Sequence, residues 1–404
     1  MNGKWNEGAA MTGIRRRLTL LLFGLVICFN LVTSANQQFS YLAESFLQGK
    51  TYFLSLPNLG HDTILFNGNY YWPLGPFPAL LLLPFVLVFR LFNVFFFQGY
   101  LQVFLFAGVF YSFFRIARRL DYSRDDAQFL AFAFCFASVF LGVGMYAVSW
   151  AFAQVVTVLL LALALLEYLG SRRLWIIGTL MALASMTRFL SGLNVVFFLL
   201  VVFLENKTPR AKLSAGFSLV MPMLIGFAAL ALYNDARFGN WMEQGYSLAS
   251  LYGAGARDRE YYGIISLAHV PGNLFYFLFA GPLPITVDNG SQVLKFPYVK
   301  ANPWGMSIFL TSPYFLYLFR IKYHDLISKL LLISSAVVAV PIFSFYGIGY
   351  VQFGYRYSLD FLPLLFFLLI RNYRNDHPEL SPGFKKMIII TAVTNCYFVL
   401  TLRP

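Results

Sequence analysis

Charge is what this chain has least of. Only 12% of its 404 residues are Asp, Glu, Lys or Arg, and just 17 of them are acidic. So few charges, set against 59% hydrophobic residues, exclude a disordered chain and a soluble enzyme. Histidine is almost as rare, at four, and none has a second histidine at metal-ligand spacing, so a zinc centre finds no support. The three cysteines, Cys28, Cys135 and Cys396, sit inside apolar runs without a C-x-x-C, which predicts buried free thiols rather than a disulfide or metal site. No G-x-G-x-x-G opens a helix, so a Rossmann cofactor is not expected. Internal repeats, low-complexity tracts and flexible linkers are also missing, which leaves one domain over 1–404.

What fills the chain instead is a series of apolar runs of membrane-spanning length, the signature of an all-α polytopic membrane protein. Aromatics make up 19%, with Phe predominant; Phe reads as lipid-facing bulk, while Tyr and Trp prefer the interfaces. The net charge of +13 is explained by the positive-inside bias rather than by nucleic acid. Lys4 and Arg15 to Arg17 precede the run 18–32. Thr33-Ser34-Ala35 resembles a signal-peptide cleavage site, but a retained first span is the favoured reading, with the N-terminus inside. Further basic clusters fall at Arg115, Arg118, Arg119 and Arg124, at Arg172 and Arg173, and at Lys207, Arg210 and Lys212. Two more lie at Arg320, Lys322 and Lys329, and at Arg371, Arg374, Lys385 and Lys386. Placing all of them inside demands an odd number of crossings between Asn36 and Arg115, where two apolar stretches lie, 77–89 and 99–114. Parity is restored if 77–89, with its three nearby prolines, lies along the outer face as a juxtamembrane or re-entrant helix. Spans then follow at 127–146, 152–169, 174–188, 190–205, 214–233, 304–320, 326–346, 358–371 and 386–402. That makes about eleven, with the C-terminus outside. Two long segments face outward, 36–75 and 235–303.

Ionisable groups at the edge of an apolar region need a reason to be there. On the outer side these are Glu44, Lys50, His61 and Asp62, then Arg188 in SMTRFL (185–190), Asp235 and Arg237 in YNDARFGN (233–240), and Arg356 and Asp360 in GYVQFGYRYSLDF (349–361). Carboxylates with several arginines suit phosphate chemistry: Arg offers a permanent charge and a planar fork, and a carboxylate can take a proton from an acceptor hydroxyl. Plainer readings stand beside this one. Asp62 fits a turn, Asp235 and Arg237 a helix cap or interfacial anchor, Arg188 a side chain reaching for headgroups, and Arg356 with Asp360 an i,i+4 pair. Arg257-Asp258-Arg259-Glu260 reads as a solvated loop. The glycosylation matches Asn206-Lys-Thr and Asn289-Gly-Ser are common by chance, and Asn206 is expected inside.

The order of a basic N-terminus, one span, an outer loop with YLAESFLQGKTYF (41–53), the Asp62 segment and a proline-led helix resembles the GT-C glycosyltransferases. These polytopic enzymes use polyprenyl-phosphate sugars; protein O-mannosyltransferases and the aminoarabinose transferase of lipid A are examples. FNGNYYWPLGPFPALLLLPF (66–85), LYNDARFGNWMEQGY (232–246), NPWGMSIFLTSPYFLYLFR (302–320) and GYVQFGYRYSLDFLP (349–363) are similar to a bacterial group of mannosyltransferase-like integral membrane proteins in that superfamily. The resemblance implies a GT-C fold in a bacterial inner membrane and an inverting transfer of a sugar from a polyprenyl-phosphate donor to an acceptor outside the cytoplasm. That acceptor would be a glycan, a lipid or a protein, with membrane lipids the only other partner. Asp62 would be the base, with Glu44 the second candidate. Arg356, Arg188 and Arg237 would bind the donor phosphate, and His61, Tyr71, Trp72, Tyr355 and Asp360 the sugar or acceptor. No cofactor is required; a divalent metal shared by a loop carboxylate and a phosphate suits the chemistry, but no acidic cluster demands it.

One departure bears on activity. Members of the superfamily often carry an acid just after the first span, and this chain has Asn36-Gln37-Gln38 there, amides that cannot accept a proton. Either Asp62 or Glu44 does that work, or the chain is a binding protein that kept the fold without the chemistry. A transporter or flippase of lipid-linked glycans is the other reading, but it calls for internal repeats and mid-membrane ionisable groups. The acids inside expected spans, Glu167 and Asp360, lie near span ends.

Overall fold

Long runs of Leu, Val, Phe and Ala satisfy their backbone hydrogen bonds locally, so the chain is mostly helix. The computed structural model describes residues 2–32, 36–57, 62–205, 208–249 and 254–402. His61, Thr33-Ser34-Ala35, Asn206 and Lys207 lie outside the described residues. The first half contains α1 (Asn2–Leu31), α2 (Gln38–Phe46), β1 (Ile64–Phe66), β2 (Asn69–Tyr71), α3 (Phe77–Arg90), α4 (Gln98–Arg119), α5 (Arg124–Phe136), α6 (Phe140–Met145), α7 (Ser149–Tyr168), α8 (Leu174–Ser185) and α9 (Val195–Glu205). The second half contains α10 (Pro209–Phe238), α11 (Ala254–Tyr262), α12 (Val270–Leu278), β3 (Leu283–Thr286), β4 (Leu294–Lys300), α13 (Ile308–Thr311), α14 (Leu326–Phe343), α15 (Leu362–Asp376) and α16 (Pro382–Thr401). Among the described residues five helices, α4, α7, α10, α14 and α16, are long and apolar enough to cross a membrane.

Several expected spans are not single helices. The stretch 127–146 breaks into α5 and α6, where the Ser138 hydroxyl donates back to Phe134 O and accepts from Phe140 N at 3.0 Å. The stretch 304–320 is α13 followed by the 3₁₀ helix Pro313–Arg320; Pro313 has no N–H to continue the α ladder. A 3₁₀ turn, Phe189–Asn194, leads into α9, and another, Arg356–Asp360, leads into α15. Of these broken pieces α5 and α6 are carried inside the bundle, buried over almost their whole length, while Leu316 and Phe319 of the 3₁₀ helix are exposed.

That interior corrects the expectation for phenylalanine. Phe106, Phe113, Phe129, Phe132, Phe134, Phe136 and Phe140 are fully buried, with Phe113 stacked on Phe134 at 3.8 Å between centroids. Much of the Phe therefore builds the core rather than coating it. Cys28, conversely, is exposed on α1, although all three cysteines are free thiols.

Charged links at one end of the bundle join helix ends that the sequence assigns to one side. Asp125 at the start of α5 bridges Arg15 and Lys385, and Lys385 also meets Asp126 at 2.6 Å. Glu167 pairs with Arg173, Glu205 with Arg172, and Asp325 with Arg371. At the opposite end the links are amides and hydroxyls. Gln98 donates to Asn36 O and to Ser149 Oγ, while Ser149 Oγ donates to Gln38 Oε1 at 2.6 Å.

Helix α3 coincides with the expected 77–89 helix. Its 14 residues reach about 21 Å, short of the roughly 30 Å hydrocarbon core. It buries Pro78, Ala79, Leu82 and Val86 as one stripe and leaves Leu80, Leu87 and Val88 exposed on the other face. The all-helical expectation is corrected in two places. β1 and β2 form an antiparallel hairpin turning at Asn67-Gly68, both at positive φ (47° and 76°), and β3 pairs with β4 in a second hairpin.

Helices α8 and α10 approach closely because both carry glycine at the crossing. A Cβ on Gly178 would stand 2.2 Å from Leu219 O, and one on Gly226 would stand 2.8 Å from the Ala182 Cβ. Gly178→Val should therefore lower stability by about 1–3 kcal/mol through overpacking. Gly13→Ala, where nothing lies within 4 Å, should be neutral or stabilising by up to about 1 kcal/mol. Thermal unfolding of both variants in one detergent tests the difference.

Candidate functional site

The N-terminal end of α7 and the C-terminal ends of α8 and α10 meet the 36–75 loop. Two features hold the loop in place. The backbone of Gly75 lies against that of Met186: a Cβ at Gly75 would fall 2.0 Å from Met186 O, and Phe77 N donates to the same oxygen at 3.2 Å. Arg237, near the end of α10, donates through Nη1 to Trp72 O at 2.7 Å.

Asp62 stands two residues before β1 in a left-handed conformation, φ 59°, one that Asp tolerates better than most residues. It is exposed, and its Oδ2 accepts from Trp150 Nε1 at 3.0 Å. Trp150 in turn lies 4.9 Å from the ring of Trp72. Asp62 also acts electrostatically on Tyr346. Burial first of all, with Tyr357 and Asp62 adding, pushes that phenol up to about 12, and Arg259 opposes the shift.

Arg188 and Asp360 form a bidentate pair, Nε to Oδ1 at 2.8 Å and Nη2 to Oδ2 at 2.7 Å, with side chains 10% and 2% exposed. Ser191 Oγ donates to Asp360 Oδ1 at 2.7 Å, and Asn194 Nδ2 to Asp360 O at 2.8 Å. The expected i,i+4 pair of Arg356 with Asp360 is not made. Residues 356–360 form a 3₁₀ helix, in which i meets i+3, so the Asp360 side chain turns away to Arg188. Arg356 stacks instead on Tyr357 at 4.7 Å, while Arg188 lies 5.5 Å from the same ring. The Nη1 of Arg356 is buried without a hydrogen-bond partner, and no ion pair to it occurs among the described residues.

These contacts revise several expected roles. Arg188, expected at the donor phosphate, and Asp360, expected at the sugar, are paired with each other. Trp72 is fully buried between Phe39 and Trp150, and Tyr355 is buried with its hydroxyl donating to Asn273 Oδ1 at 2.8 Å, so neither offers a face to a ligand. Tyr71 packs against Phe238 at 5.2 Å and is 6% exposed. Arg237 points inward, over Tyr233 at 4.1 Å, while Asp235 faces out. Arg237 forms no ion pair among the described residues and lines a small cleft with Gly75, Ser185, Asn234, Gln244 and Tyr246. Ser185 Oγ and Arg237 Nε there are buried and unpartnered. The Arg257–Glu260 stretch is helical, not loop, and Arg259 donates to Tyr246 O at 2.8 Å.

Glu44 lies apart from this group. On α2 it is half-buried, and burial raises its carboxyl above the ordinary range, with Arg90 opposing. The amides of Asn36-Gln37-Gln38 belong to a joint: Gln37 and Gln38 are 2% and 1% exposed and tie α2 to the starts of α4 and α7.

Trp150, Tyr246, Tyr346 and Tyr357 were not singled out by the sequence. Tyr357 stood between Arg356 and Asp360 in a quoted block, and Trp150 stood at the expected outer boundary between two spans, a position typical of interfacial aromatics.

Compared with protein-family models, with curated proteins and with solved structures, the chain matches none.

Asp360→Asn should cost about 3 kcal/mol, because it leaves a buried guanidinium uncompensated. Asp360→Asn combined with Arg188→Gln should recover part of that loss, as a thermal double-mutant cycle would read. Glu44 gives a pH dependence of known sign. A carboxyl whose folded value is raised favours the folded state most below its ordinary value of about 4.3. Stability should fall as pH climbs from there through the raised value, and Glu44→Gln should flatten that fall in a melting series against pH.

Proposed function

We propose that this protein is a membrane glycosyltransferase that moves a sugar from a polyprenyl-phosphate donor to an acceptor outside the cytoplasm. In this reading it is a multi-pass protein of a bacterial inner membrane with its N-terminus in the cytoplasm. The observation that carries the proposal is the Asp62 carboxylate, exposed and held by Trp150, with Arg356 stacked on Tyr357 and in no ion pair among the described residues.

The acceptor hydroxyl attacks the anomeric carbon and passes its proton to Asp62. A bond forms from acceptor oxygen to C1, the bond from C1 to the phosphate oxygen breaks, and configuration inverts. Polyprenyl phosphate leaves with the electron pair, and its charge falls to Arg356, with Arg237, which forms no ion pair among the described residues, in the adjoining cleft. Arg188 acts through Asp360 as a positioning residue, keeping the Arg356–Tyr357 turn in place. Positions 37 and 38 are buried in a helix joint, so the amides there do not compete with Asp62 for the role of base. Glycan, lipid and protein acceptors all fit this scheme, and no step in it calls for a metal.

The test compares surface glycans, by mass spectrometry at matched protein levels, in cells lacking the gene and complemented with wild type or variants. Asp62→Asn should fail to restore the missing sugar, in line with a loss of about 10²–10⁴ for a general base. Arg356→Gln should fail similarly, and Glu44→Gln should restore fully. Full restoration by Asp62→Asn would overturn the assignment, and failure of Glu44→Gln alone would move the base to Glu44.

A further inference from the structure

The β3–β4 hairpin is the part of the molecule whose apolar surface is least explained by the bundle. Leu294, Phe296 and Tyr298 of β4 are 46%, 78% and 53% exposed, in a stretch where the strand register slips between the Pro284–Val299 and Thr286–Leu294 pairs. Leu283 of β3 pairs with Lys300 and is 36% exposed. Lys295 and Lys300 are exposed on the same strand, while the tip, Asp288-Asn289-Gly290-Ser291, is polar throughout. A polar tip on an apolar hairpin is wrong for insertion end-on and right for lying flat.

The base of the hairpin fixes its level. Tyr397 donates through its hydroxyl to Val299 O, and Ala301 N donates to Thr401 Oγ1 at 3.0 Å, both within the last turns of α16. Helix α16 is one of the five long enough to span, and it leaves Ile390, Val393 and Leu400 exposed. The hairpin thus departs where a lipid-facing helix ends. Aromatic exposure recurs at that end of the bundle. Trp241 follows the αL cap of α10 at Gly239 and is 61% exposed, and Trp304 packs on Tyr350 at 4.7 Å. Tyr and Trp with flanking lysines are the composition of a bilayer's headgroup layer, where rings find the apolar boundary and ammonium groups meet phosphates.

We infer that the β3–β4 hairpin is an interfacial anchor, lying flat on the headgroup layer of the membrane with Leu283, Leu294, Phe296 and Tyr298 toward the acyl chains. This surface contact is independent of any transferase chemistry. It sets the height of the 235–303 segment over the bilayer and leaves the strand lysines to the lipid phosphates.

The experiment places nitroxide labels, one at a time, at Phe296→Cys, Tyr298→Cys and Asn289→Cys. The background is Cys28→Ser, Cys135→Ala and Cys396→Ala, reconstituted in vesicles of phosphatidylethanolamine and phosphatidylglycerol. Collisions with oxygen, which concentrates in lipid, are compared with collisions with a water-soluble nickel chelate. Labels at 296 and 298 should favour oxygen several-fold over nickel, and the label at 289 should show the reverse. A Leu283→Cys label on the other strand repeats the measurement without altering β4. Labels at 296 and 298 as open to nickel as 289 would overturn the inference. So would shielding from both reagents, which is the mark of a protein partner or a second copy.

Discussion

One buried ion pair holds the polar end of this bundle together. Arg188 leaves the end of α8, Asp360 precedes α15, and nothing else among the described contacts ties those two helix ends so directly. Taking both charges out of water costs several kcal/mol per ion. The fork geometry, with Ser191 and Asn194 on the remaining acceptors, is what offsets that cost. Tyr357 lies under both guanidinium groups, so the pair also decides where Arg356 stands. Because Arg188 is neutralised and Arg356 is not, two cations close in space differ in what they can attract.

The two ends of the bundle solve the same problem differently. At one end the helix termini are joined by several ion pairs, some exposed, as Arg172–Glu205, and some buried, as Lys385–Asp126. At the other they are joined by buried amides and hydroxyls around Gln98 and Ser149, with a single buried ion pair. Neutral links can be sealed under a loop without the desolvation cost of free charges. This is how the 36–75 loop can sit on the helix ends and still leave one carboxylate, Asp62, at the surface.

The fold was legible wherever a single physical rule dominated. The proline-led helix 77–89 ends within a residue of its expected bounds, and the side-by-side arrangement of helix ends follows the basic clusters. Legibility failed where tertiary context decided. Asn67-Gly68 is a strong hairpin signal, but only three residues flank it on each side, and the aromatic Tyr70-Tyr71-Trp72 drew the eye to ligand binding instead. Trp72 and Tyr355 look like sugar platforms in sequence and are core residues in space, since a flat ring serves packing as well as stacking. Helical spacing misled at Arg356 and Asp360, because a 3₁₀ turn changes which residues face one another. The partner of Asp360 lies 172 positions away, and no local pattern encodes that distance.

The contact between Gly75 and Met186 reaches beyond packing. Backbone touches backbone there, with no side chain free to yield, so the outer loop and the α8 turn can vary only in step. Anyone grafting the 36–75 loop onto a related scaffold would have to transplant 185–190 with it, as one cassette. Lineages that alter one half would be expected to carry a matched change in the other.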